Sequence, residues 1–196
     1  SRMNPWGVIT PQGFIRDLRS CLYMMKSQIR DAGIVVSDKT RLCQYPLYLP
    51  LLTGELMANG LKREDITFYI AYGTHPKQSE AESLASYGET FHQFTFVHHD
   101  SRDANTLVRL GTTSRGTEIT LRKEIPEHDL LITFGSVLHH YFAGFGGGRK
   151  LLFPGLAGYD SILKNHSLFL DFRHRRLREG CQAGQLDGNA LAMDLE

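Results

Sequence analysis

Cysteine is scarce in this sequence. Its 196 residues include three, Cys21, Cys43 and Cys181, an odd number at wide and unrelated spacings. Such spacings fit neither a disulfide framework nor a CxxC metal site. Because disulfides persist mainly in oxidising compartments, the sequence predicts a cytoplasmic protein whose thiols stay reduced.

An excess of charge and long hydrophobic runs are also lacking. Lys and Arg number 22 and Asp and Glu number 21, and the net charge of +1 gives no electrostatic reason to expect nucleic acid or an anionic membrane. The longest apolar run, around residues 47–52, is interrupted by Pro50 and is far shorter than the roughly 20 residues that cross a bilayer. We therefore expect no nucleic-acid partner and no membrane partner.

What the sequence does contain is typical of a globular domain. Hydrophobic residues make up 41% and charged residues 22%, a balance that allows a proper core. The length fits one large domain. Residues 190–196 have the pattern of the first turn of a helix with no stop signal, which predicts that the chain is part of a longer protein.

Short strand-like segments alternate with helical ones along the chain. Continuous apolar strands separated by helices are typical of a mostly parallel sheet covered on both faces. The sequence thus predicts an α/β, Rossmann-like fold with helices on both faces of the sheet. Ser79 and Glu82 have the spacing of a capping box at the start of one helix. The predicted strands span residues 33–36, 66–71, 94–97, 118–121 and 130–134, and the predicted helices span residues 45–59, 79–87 and 160–169.

Three polar segments follow predicted strands and are candidates for a site. Asp38-Lys39-Thr40-Arg41 follows the first strand, Gly73-Thr74-His75 follows the second, and a loop from Gly135 follows the fifth. Parallel sheets bind ligands beyond the carboxyl ends of their strands. We therefore expect these segments to converge on one rim of the sheet.

Each of these segments has a structural and a functional interpretation. Asp38 and Arg41 are a turn with a solvated charge, or else Arg41 binds a carboxylate while Asp38 orients a neighbouring base or the arginine itself. His75 is a satisfied loop residue or a general base, since imidazole titrates near neutral pH. The residues alone leave these alternatives open.

The remaining histidines are expected to be structural. His98 and His99 are adjacent on a strand, where successive side chains point to opposite faces, so they are not expected to bind one metal ion. His166 lies on an apolar helical segment and by itself would be a packed core histidine. The histidines expected at the surface are His92, His128 and His174.

The stretch from His139 to Lys150 is the richest in the chain. It holds two histidines, four glycines within five residues, and then Arg149 and Lys150. Glycines allow positive φ and close approach of the backbone to a ligand. A phosphate-binding loop needs Lys directly after its last Gly, and Ser or Thr after that Lys. Arg149 and Leu151 break both requirements, so the match to such a loop is weak.

Taken together, these segments resemble the lactate racemase family. The resemblance runs in family order from about Asn4 to the end of the chain. The chain departs from the family pattern at His139, where Pro is usual, and at Gly146, where Ser is usual. The matching residues are Asp38-x-Thr40-Arg41, Gly73-Thr74-His75, Leu110-Gly111-Thr112, His140-x-Phe142-Ala143-Gly144-Phe145-x-Gly147-Gly148-x-Lys150, Pro154-Gly155, His166, Gly188-Asn189, Asp194 and Glu196.

The resemblance implies a domain and a cofactor. Residues 1–196 would be the N-terminal catalytic α/β domain of a two-domain protein whose C-terminal domain is missing from this chain. The family's cofactor is a nickel-pincer nucleotide, a pyridinium mononucleotide with two sulfur-bearing arms that grip nickel. By resemblance, Lys150 forms its covalent thioamide tether and His166 gives the metal a nitrogen ligand.

The resemblance also implies a reaction, the racemisation or epimerisation of a small, lactate-like 2-hydroxy acid. His75 and His140 would be the acid/base pair, with the α-hydrogen leaving as hydride to the cofactor. His140 is preferred to His139 because the family's histidine stands ten residues before the tethering lysine. Arg41 and Asp38 would form the substrate-binding site. Without the C-terminal domain, the chain alone is expected to be inactive.

Two other functions would use the same residues. A non-catalytic carrier of nickel or of the cofactor would bind through them without turnover. A phosphate-loop nucleotide-binding domain would rest on the glycine run alone.

Overall fold

The computed structural model describes residues 10–24, 29–41 and 43–195, so Asn4 and Glu196 of the family pattern lie outside the described residues. The α-helices are α1 Pro11–Met24, α2 Tyr45–Ala58, α3 Glu80–Tyr87, α4 Thr90–Gln93, α5 Tyr159–Ser167 and α6 Ala190–Met193. The strands are β1 Ala32–Ser37, β2 Ile66–Ala71, β3 Thr95–His98, β4 Leu107–Thr112, β5 Glu118–Arg122, β6 Leu130–Phe134, β7 His139–His140, β8 Gly144–Phe145, β9 Leu170–Asp171 and β10 Arg176–Leu177.

A four-stranded parallel sheet forms the centre of the fold. Its strand order is β3-β2-β1-β6, and Val35 of β1 lies opposite Tyr69 of β2 and Thr133 of β6. All six residues of β1 are buried, which explains the continuous apolar run that predicted this strand. The predicted Rossmann-like α/β fold, a parallel sheet flanked by helices, is confirmed.

The two faces of the sheet are covered in different ways. One face packs against α1, α2 and α3. The other face, with Val35 and Tyr69, packs against Leu151 and Leu156. These leucines belong to a short 3-10 helix, Gly148–Leu151, and to the chain that follows it. The glycine-rich loop therefore leads directly into a segment that is fixed on the sheet.

The predicted strand over residues 118–121 forms, as β5, but it is not part of the parallel sheet. It pairs with β4 in an antiparallel hairpin across the turn at residues 113–117. So short a connection permits only antiparallel neighbours. The family-turn residues Leu110-Gly111-Thr112 lie in β4, beside a bulge between Arg109 and Gly111. The apolar pattern identified a strand here but could not identify its partner.

Most other elements lie within two residues of their predicted bounds. β2 spans residues 66–71, as predicted, and α5 spans residues 159–167. The capping box of α3 is present: the Ser79 hydroxyl accepts from the Glu82 N–H, and the Glu82 side chain accepts from the Ser79 N–H. The local signals of strand composition and helix capping were therefore reliable in this chain.

The expectation that His128 lies at the surface is wrong. Its side chain is 10% exposed, and its Nε2 hydrogen-bonds the Tyr69 hydroxyl at 2.8 Å. The ring also fills the space beside Gly33, where a Cβ would lie 2.6 Å from His128 Cδ2. The sheet creates this environment, because Gly33, Tyr69 and His128 come from distant parts of the sequence. The other two predicted surface histidines, His92 and His174, are exposed.

The three cysteines differ in exposure. Cys21 is exposed, Cys43 is partly buried and Cys181 is buried, and all three are free thiols. Among the helices that the structure describes, none has the length and apolar character needed to cross a membrane.

Gly155 is closely packed beside the sheet, and Gly54 provides a contrasting position with open space around it. A Cβ at Gly155 would lie 2.2 Å from the Leu151 carbonyl oxygen and 2.7 Å from Ala71 Cβ, whereas nothing lies within 4 Å of a Cβ at Gly54 in α2. We predict that Gly155→Ala lowers the free energy of unfolding by about 2 kcal/mol or more, because the backbone must move. Gly54→Ala is expected to raise it by ~0.5–1 kcal/mol, since glycine weakens a helix interior. Urea denaturation measures both, and effects of equal sign would contradict this packing.

Candidate active site

Side chains from the carboxyl ends of β1 and β2, from the glycine-rich loop and from α5 line one cavity of about 240 Å³. The loops that follow β1, β2 and β6 meet at this rim, as a parallel sheet requires. The six candidate site residues all line the cavity: Asp38, Arg41, His75, His140, Lys150 and His166.

Asp38 and His75 form a hydrogen-bonded pair. His75 Nδ1–H donates to Asp38 Oδ2 at 2.6 Å, and Asp38 Oδ1 accepts from the N–H and the hydroxyl of Thr40 at 3.0 and 2.6 Å. Burial acts to raise the pKa of Asp38, but the hydrogen bonds from His75 and Thr40 outweigh it and hold that pKa below its ordinary value. The ionised carboxylate fixes the His75 tautomer and leaves Nε2 as a proton acceptor.

These contacts favour one of the alternatives for Asp38. Both of its oxygens are bonded within the protein, so the carboxylate orients the His75 ring. The assignment of Asp38 as a substrate-binding residue stays a prediction.

Arg41 is an exposed cation at the cavity. Its N–H donates to the Asp38 carbonyl at 3.1 Å, and its own carbonyl accepts from the Ser37 hydroxyl at 2.6 Å, so its backbone is fixed. Its charge contributes to lowering the pKa of both Lys150 and His140. A planar fork of donors in this position suits a carboxylate.

Close approach of the backbone explains the glycines of the loop. β7 and β8 pair as a short antiparallel ribbon. Gly147 follows with φ of 79°, and a Cβ there would lie 2.2 Å from the Ser136 carbonyl oxygen. The chain then enters the four-residue 3-10 helix Gly148–Leu151. Phosphate-binding loops use the N-terminus of an α-helix, so this geometry argues against a phosphate loop.

His139 and His140 have opposite surroundings, as the alternation along a strand predicts. His139 is exposed, and its ring centroid lies 5.2 Å from that of Phe145, away from the residues that line the cavity. His140 is buried and lines the cavity. The placement therefore favours His140 as the residue with a role in the site.

The backbone and the surrounding charge keep His140 neutral. The Ala143 N–H donates to His140 Nδ1 at 3.2 Å, so the neutral ring carries its proton on Nε2. Burial, followed by the charges of the other basic side chains of the cavity, lowers the pKa of His140 to about 4. The two candidate acid/base histidines therefore differ, because His75 offers an acceptor at Nε2 and His140 offers a donor.

Lys150 is a largely buried amine. Among the described residues, no Asp or Glu forms an ion pair with it. Its Nζ lies 5.9 Å from the ring centroid of Phe142. Burial, followed by the charge of Arg41, lowers the pKa of Lys150 to about 8. A substantial fraction of this amine is thus unprotonated and nucleophilic at mildly alkaline pH.

One ring nitrogen of His166 is bonded to the backbone and the other is available. Its Nδ1–H donates to the Ile162 carbonyl at 2.8 Å, which leaves a lone pair on Nε2. Burial lowers the pKa of His166, although the hydrogen bond to Ile162 acts in the opposite direction. Metal-bound histidines usually have their second nitrogen held in this way. In the part of the chain that the structure describes, no three His, Cys, Asp or Glu residues are grouped to hold a metal ion, so His166 would need donors from a cofactor.

Aromatic side chains complete the cavity, and sequence reasoning missed their role. The Phe142 ring lies 4.5 Å from the His140 ring and 5.4 Å from the His166 ring, and it stacks on Phe169 at 4.7 Å. Tyr141 is 78% exposed and stacks on His140 at 4.9 Å. The available signal was the position of Tyr141 and Phe142 directly after His140.

His98 and His99 have separate structural partners. His98 Nδ1 hydrogen-bonds the Tyr72 hydroxyl at 2.7 Å, and His99 Nε2 hydrogen-bonds the Ala157 carbonyl at 2.9 Å. Tyr72 lines the cavity, so its hydrogen bond with His98 helps to fix one side chain of the cavity wall.

Sequence comparison identifies the family of this chain. The sequence model of the lactate racemase N-terminal domain matches residues 20–177. The chain belongs to this family. The lactate racemase of Thermoanaerobacterium thermosaccharolyticum is 35% identical over 164 residues, which cover 83% of this chain and 37% of that protein. The lactate racemase of Lactiplantibacillus plantarum is 35% identical over 135 residues, which cover 68% of this chain and 32% of that protein.

Solved structures agree with the sequence comparison. The lactate racemase apoprotein from T. thermosaccharolyticum superimposes with a TM-score of 0.79 at 31% identity, over 92% of this chain and 40% of that chain. A protein from Thermotoga maritima gives a TM-score of 0.69 over 95% of this chain and 46% of its own, and at 19% identity it shows the fold alone. The chain spans about a third of the length of the curated relatives it matches.

The lowered pKa predicts a distinctive pH dependence for Lys150. In protein prepared without cofactor, we expect modification of Lys150 by an amine reagent to rise through an inflection near pH 8, because the unprotonated amine is the nucleophile. In Arg41→Gln the inflection should move to higher pH, since one neighbouring positive charge is removed. Peptide mass spectrometry over a pH series measures both, with the exposed Lys164 as an internal reference.

Arg109→Gln is the matched control for the loss of a charge. Arg109 is exposed and paired with Glu118 at 2.7 Å, and it does not line the cavity. This variant should leave the inflection of Lys150 in place. An inflection near the ordinary lysine value of 10.5 in the unaltered protein would contradict the buried state of the amine.

Proposed function

We propose that this chain binds a lysine-tethered nickel-pincer nucleotide and takes part in the racemisation or epimerisation of a 2-hydroxy acid. The observation that carries the proposal is the convergence of Arg41, His75, His140, Lys150 and His166 on one cavity. The two curated relatives are named lactate racemase, so lactate is the first substrate to test.

We further propose that residues 1–196 act as the N-terminal catalytic domain of a larger protein. The curated relatives are about three times as long as the matched region, which supports a further domain that completes the cleft. The cytoplasmic localisation expected from the free cysteines stays a prediction.

The residues present fit the proposed cofactor. The Lys150 amine, with its lowered pKa and without a carboxylate partner among the described residues, suits covalent attachment through nitrogen. His166 offers Nε2 as a single imidazole ligand. One protein ligand is sufficient where the nucleotide supplies sulfur and carbon donors, a set that suits Ni(II). When bound, the group supplies an acceptor for the hydride of the substrate α-carbon.

Arg41 and the Asp38–His75 pair act on one end of the substrate. The Arg41 guanidinium binds the carboxylate and so fixes the α-carbon relative to the base. His75 takes the hydroxyl proton at Nε2, and Asp38 stabilises the imidazolium that forms. Removing either histidine of the acid/base pair is expected to lower the rate by ~10²–10⁴-fold.

His140 has the complementary role. Its Nε2–H donates to the substrate oxygen as the carbonyl forms, which stabilises developing negative charge. Each enantiomer needs a base near its hydroxyl, so in the opposite direction His140 takes the proton at Nε2 only after its Nδ1 has released the Ala143 N–H and carries the ring proton. The neutral Phe142 and Tyr141 rings exclude water around His140.

A lysine substitution tests the tether. We expect the full-length protein, made in cells that synthesise the cofactor, to carry an adduct on Lys150 and nickel, and to racemise single enantiomers of lactate or a related 2-hydroxy acid. Lys150→Arg keeps the charge but cannot form the amide-type bond, so adduct, nickel and racemisation should be lost together. Peptide mass spectrometry, metal analysis and chiral chromatography measure the three.

The control is Lys164→Arg, at an exposed lysine of α5 that should leave all three readouts unchanged. Adduct and nickel without turnover of any 2-hydroxy acid would replace the enzyme by a non-catalytic carrier. An unmodified Lys150 in wild-type protein would overturn the tether, and tight magnesium-dependent ATP binding would then favour the phosphate-loop alternative.

Asp38→Asn tests the base. The amide N–H of the new side chain would donate to His75 Nδ1, so the proton of the neutral ring should move to Nε2 and the acceptor should be lost. We expect nitrogen NMR of labelled histidine to show this exchange of tautomer, and racemisation to fall by about 10²-fold or more. The surface pair Asp171–His174, at 2.7 Å, provides the matched control Asp171→Asn, which should change the His174 signals without affecting activity. An unchanged His75 tautomer in Asp38→Asn would remove the basis for this role.

A further inference from the structure

We propose that the C-terminal segment, residues 185–194, positions the side chains of the candidate active site, with Asn189 and Asp194 as its positioning residues. Neither residue lines the cavity. The segment lies beyond the residues matched by the family sequence model. Its importance rests on the proposed function, but the contacts that carry the inference lie within the chain.

Asn189 ties this segment to the loop that carries His140. It is fully buried, and its Nδ2 donates to the Phe142 carbonyl at 3.0 Å and to the Gln185 carbonyl at 2.9 Å. Its Oδ1 accepts from two backbone N–H groups in the first turn of α6. Because the Phe142 ring packs 4.5 Å from His140, the hold on the Phe142 backbone also limits where the His140 ring can lie.

Asp194 ties the segment to α5, the helix that carries His166. It is buried, and it accepts from the Thr113 and Thr117 hydroxyls at 2.5 and 2.7 Å and from Asn165 Nδ2 at 2.9 Å. Asn165 is fully buried and directly precedes His166. A buried carboxylate is stable where donors compensate it, so these bonds are costly to break. Asp194 therefore fixes α5, and with it the direction of His166.

A third contact reaches the residue before Lys150. The Arg149 guanidinium donates to the Ala192 carbonyl of α6 at 3.1 Å. Leu191 of the same helix is buried in a cluster with Phe142 and the residue after it. One short segment thus contacts residues that lie one or two positions along the chain from three site residues. Site residues function within narrow limits of position, which such supporting contacts provide.

Asp194→Asn, in full-length protein prepared without cofactor, tests this inference. The amide keeps the shape of the carboxylate but replaces one acceptor by a donor, so at least one of the three hydrogen bonds must be lost or must reverse its direction. We expect a shift of the His166 resonance in protein labelled at histidine Cε1, and a changed rate of Lys150 modification. Asp187→Asn, at an exposed aspartate of the same segment, is the control and should change neither.

Exchange of the partners separates positioning from simple stability. Adding Asn165→Asp to Asp194→Asn restores a carboxylate–amide pair, so the His166 resonance should move back toward its wild-type position. A lower melting temperature with an unchanged His166 resonance in Asp194→Asn would overturn the proposal. So would an exchange variant that recovers stability but not the resonance.

If Asp194→Asn does not fold, Thr117→Val can take its place, because valine keeps the shape of threonine and removes one hydroxyl donor to Asp194. We expect Thr117→Val to shift the His166 resonance as well. An unchanged His166 resonance in folded Thr117→Val would refute the proposal. Failure of the proposed function would appear separately, as wild-type protein without adduct or racemisation. The NMR comparison does not depend on that result.

Discussion

The candidate site depends on basic side chains grouped around a single carboxylate. Among the described residues, Asp38 is the one acidic side chain that lines the cavity, and His75 and Thr40 already occupy its oxygens. Arg41 and Lys150 therefore share the space without a compensating anion, and burial and Arg41 lower the pKa of Lys150. The same excess of positive charge that keeps the amine reactive also attracts an anionic ligand. Anion binding and amine reactivity thus have one physical origin.

The sheet and the glycines together bury the Lys150 amine. The 3-10 helix that carries Lys150 continues into Leu151, which packs on the sheet beside Val35 and Tyr69. Gly147 and Gly155 allow the backbone on either side to approach other backbone atoms more closely than a Cβ would permit. The amine is consequently held at the carboxyl ends of the strands, near Asp38 and Arg41 of the loop after β1 and His75 of the loop after β2. A looser loop would leave the lysine in solvent with an ordinary pKa.

The sequence predicted the parts of this arrangement that depend on local pattern. Buried strands such as β1 have continuous apolar runs, and the end of a parallel strand is where polar residues meet a ligand, so Asp38 and His75 could be placed in advance. Partners in space were beyond such reasoning. The strand at residues 118–121 looked the same whether it joined the sheet or a hairpin, and the burial of His128 depends on Tyr69 far along the chain. The contact of Asp194 with Asn165 spans 29 residues and has no local signature.

The two histidines of the site, His75 and His140, carry their ring protons on different nitrogens. The difference follows from the hydrogen-bond partner of each Nδ1. A carboxylate accepts a proton from His75, whereas a backbone N–H donates to His140. Burial, followed by the charge of Lys150, opposes the cationic form of His140. Converting the Lys150 amine into an amide-type bond would remove its charge, and a carboxylate on Arg41 would offset another. Both changes would raise the pKa of His140 and make its cation more accessible. Attachment of the proposed cofactor and binding of a carboxylate would therefore make a protonated His140 easier to reach, as the proposed racemisation requires of a residue that acts in both directions.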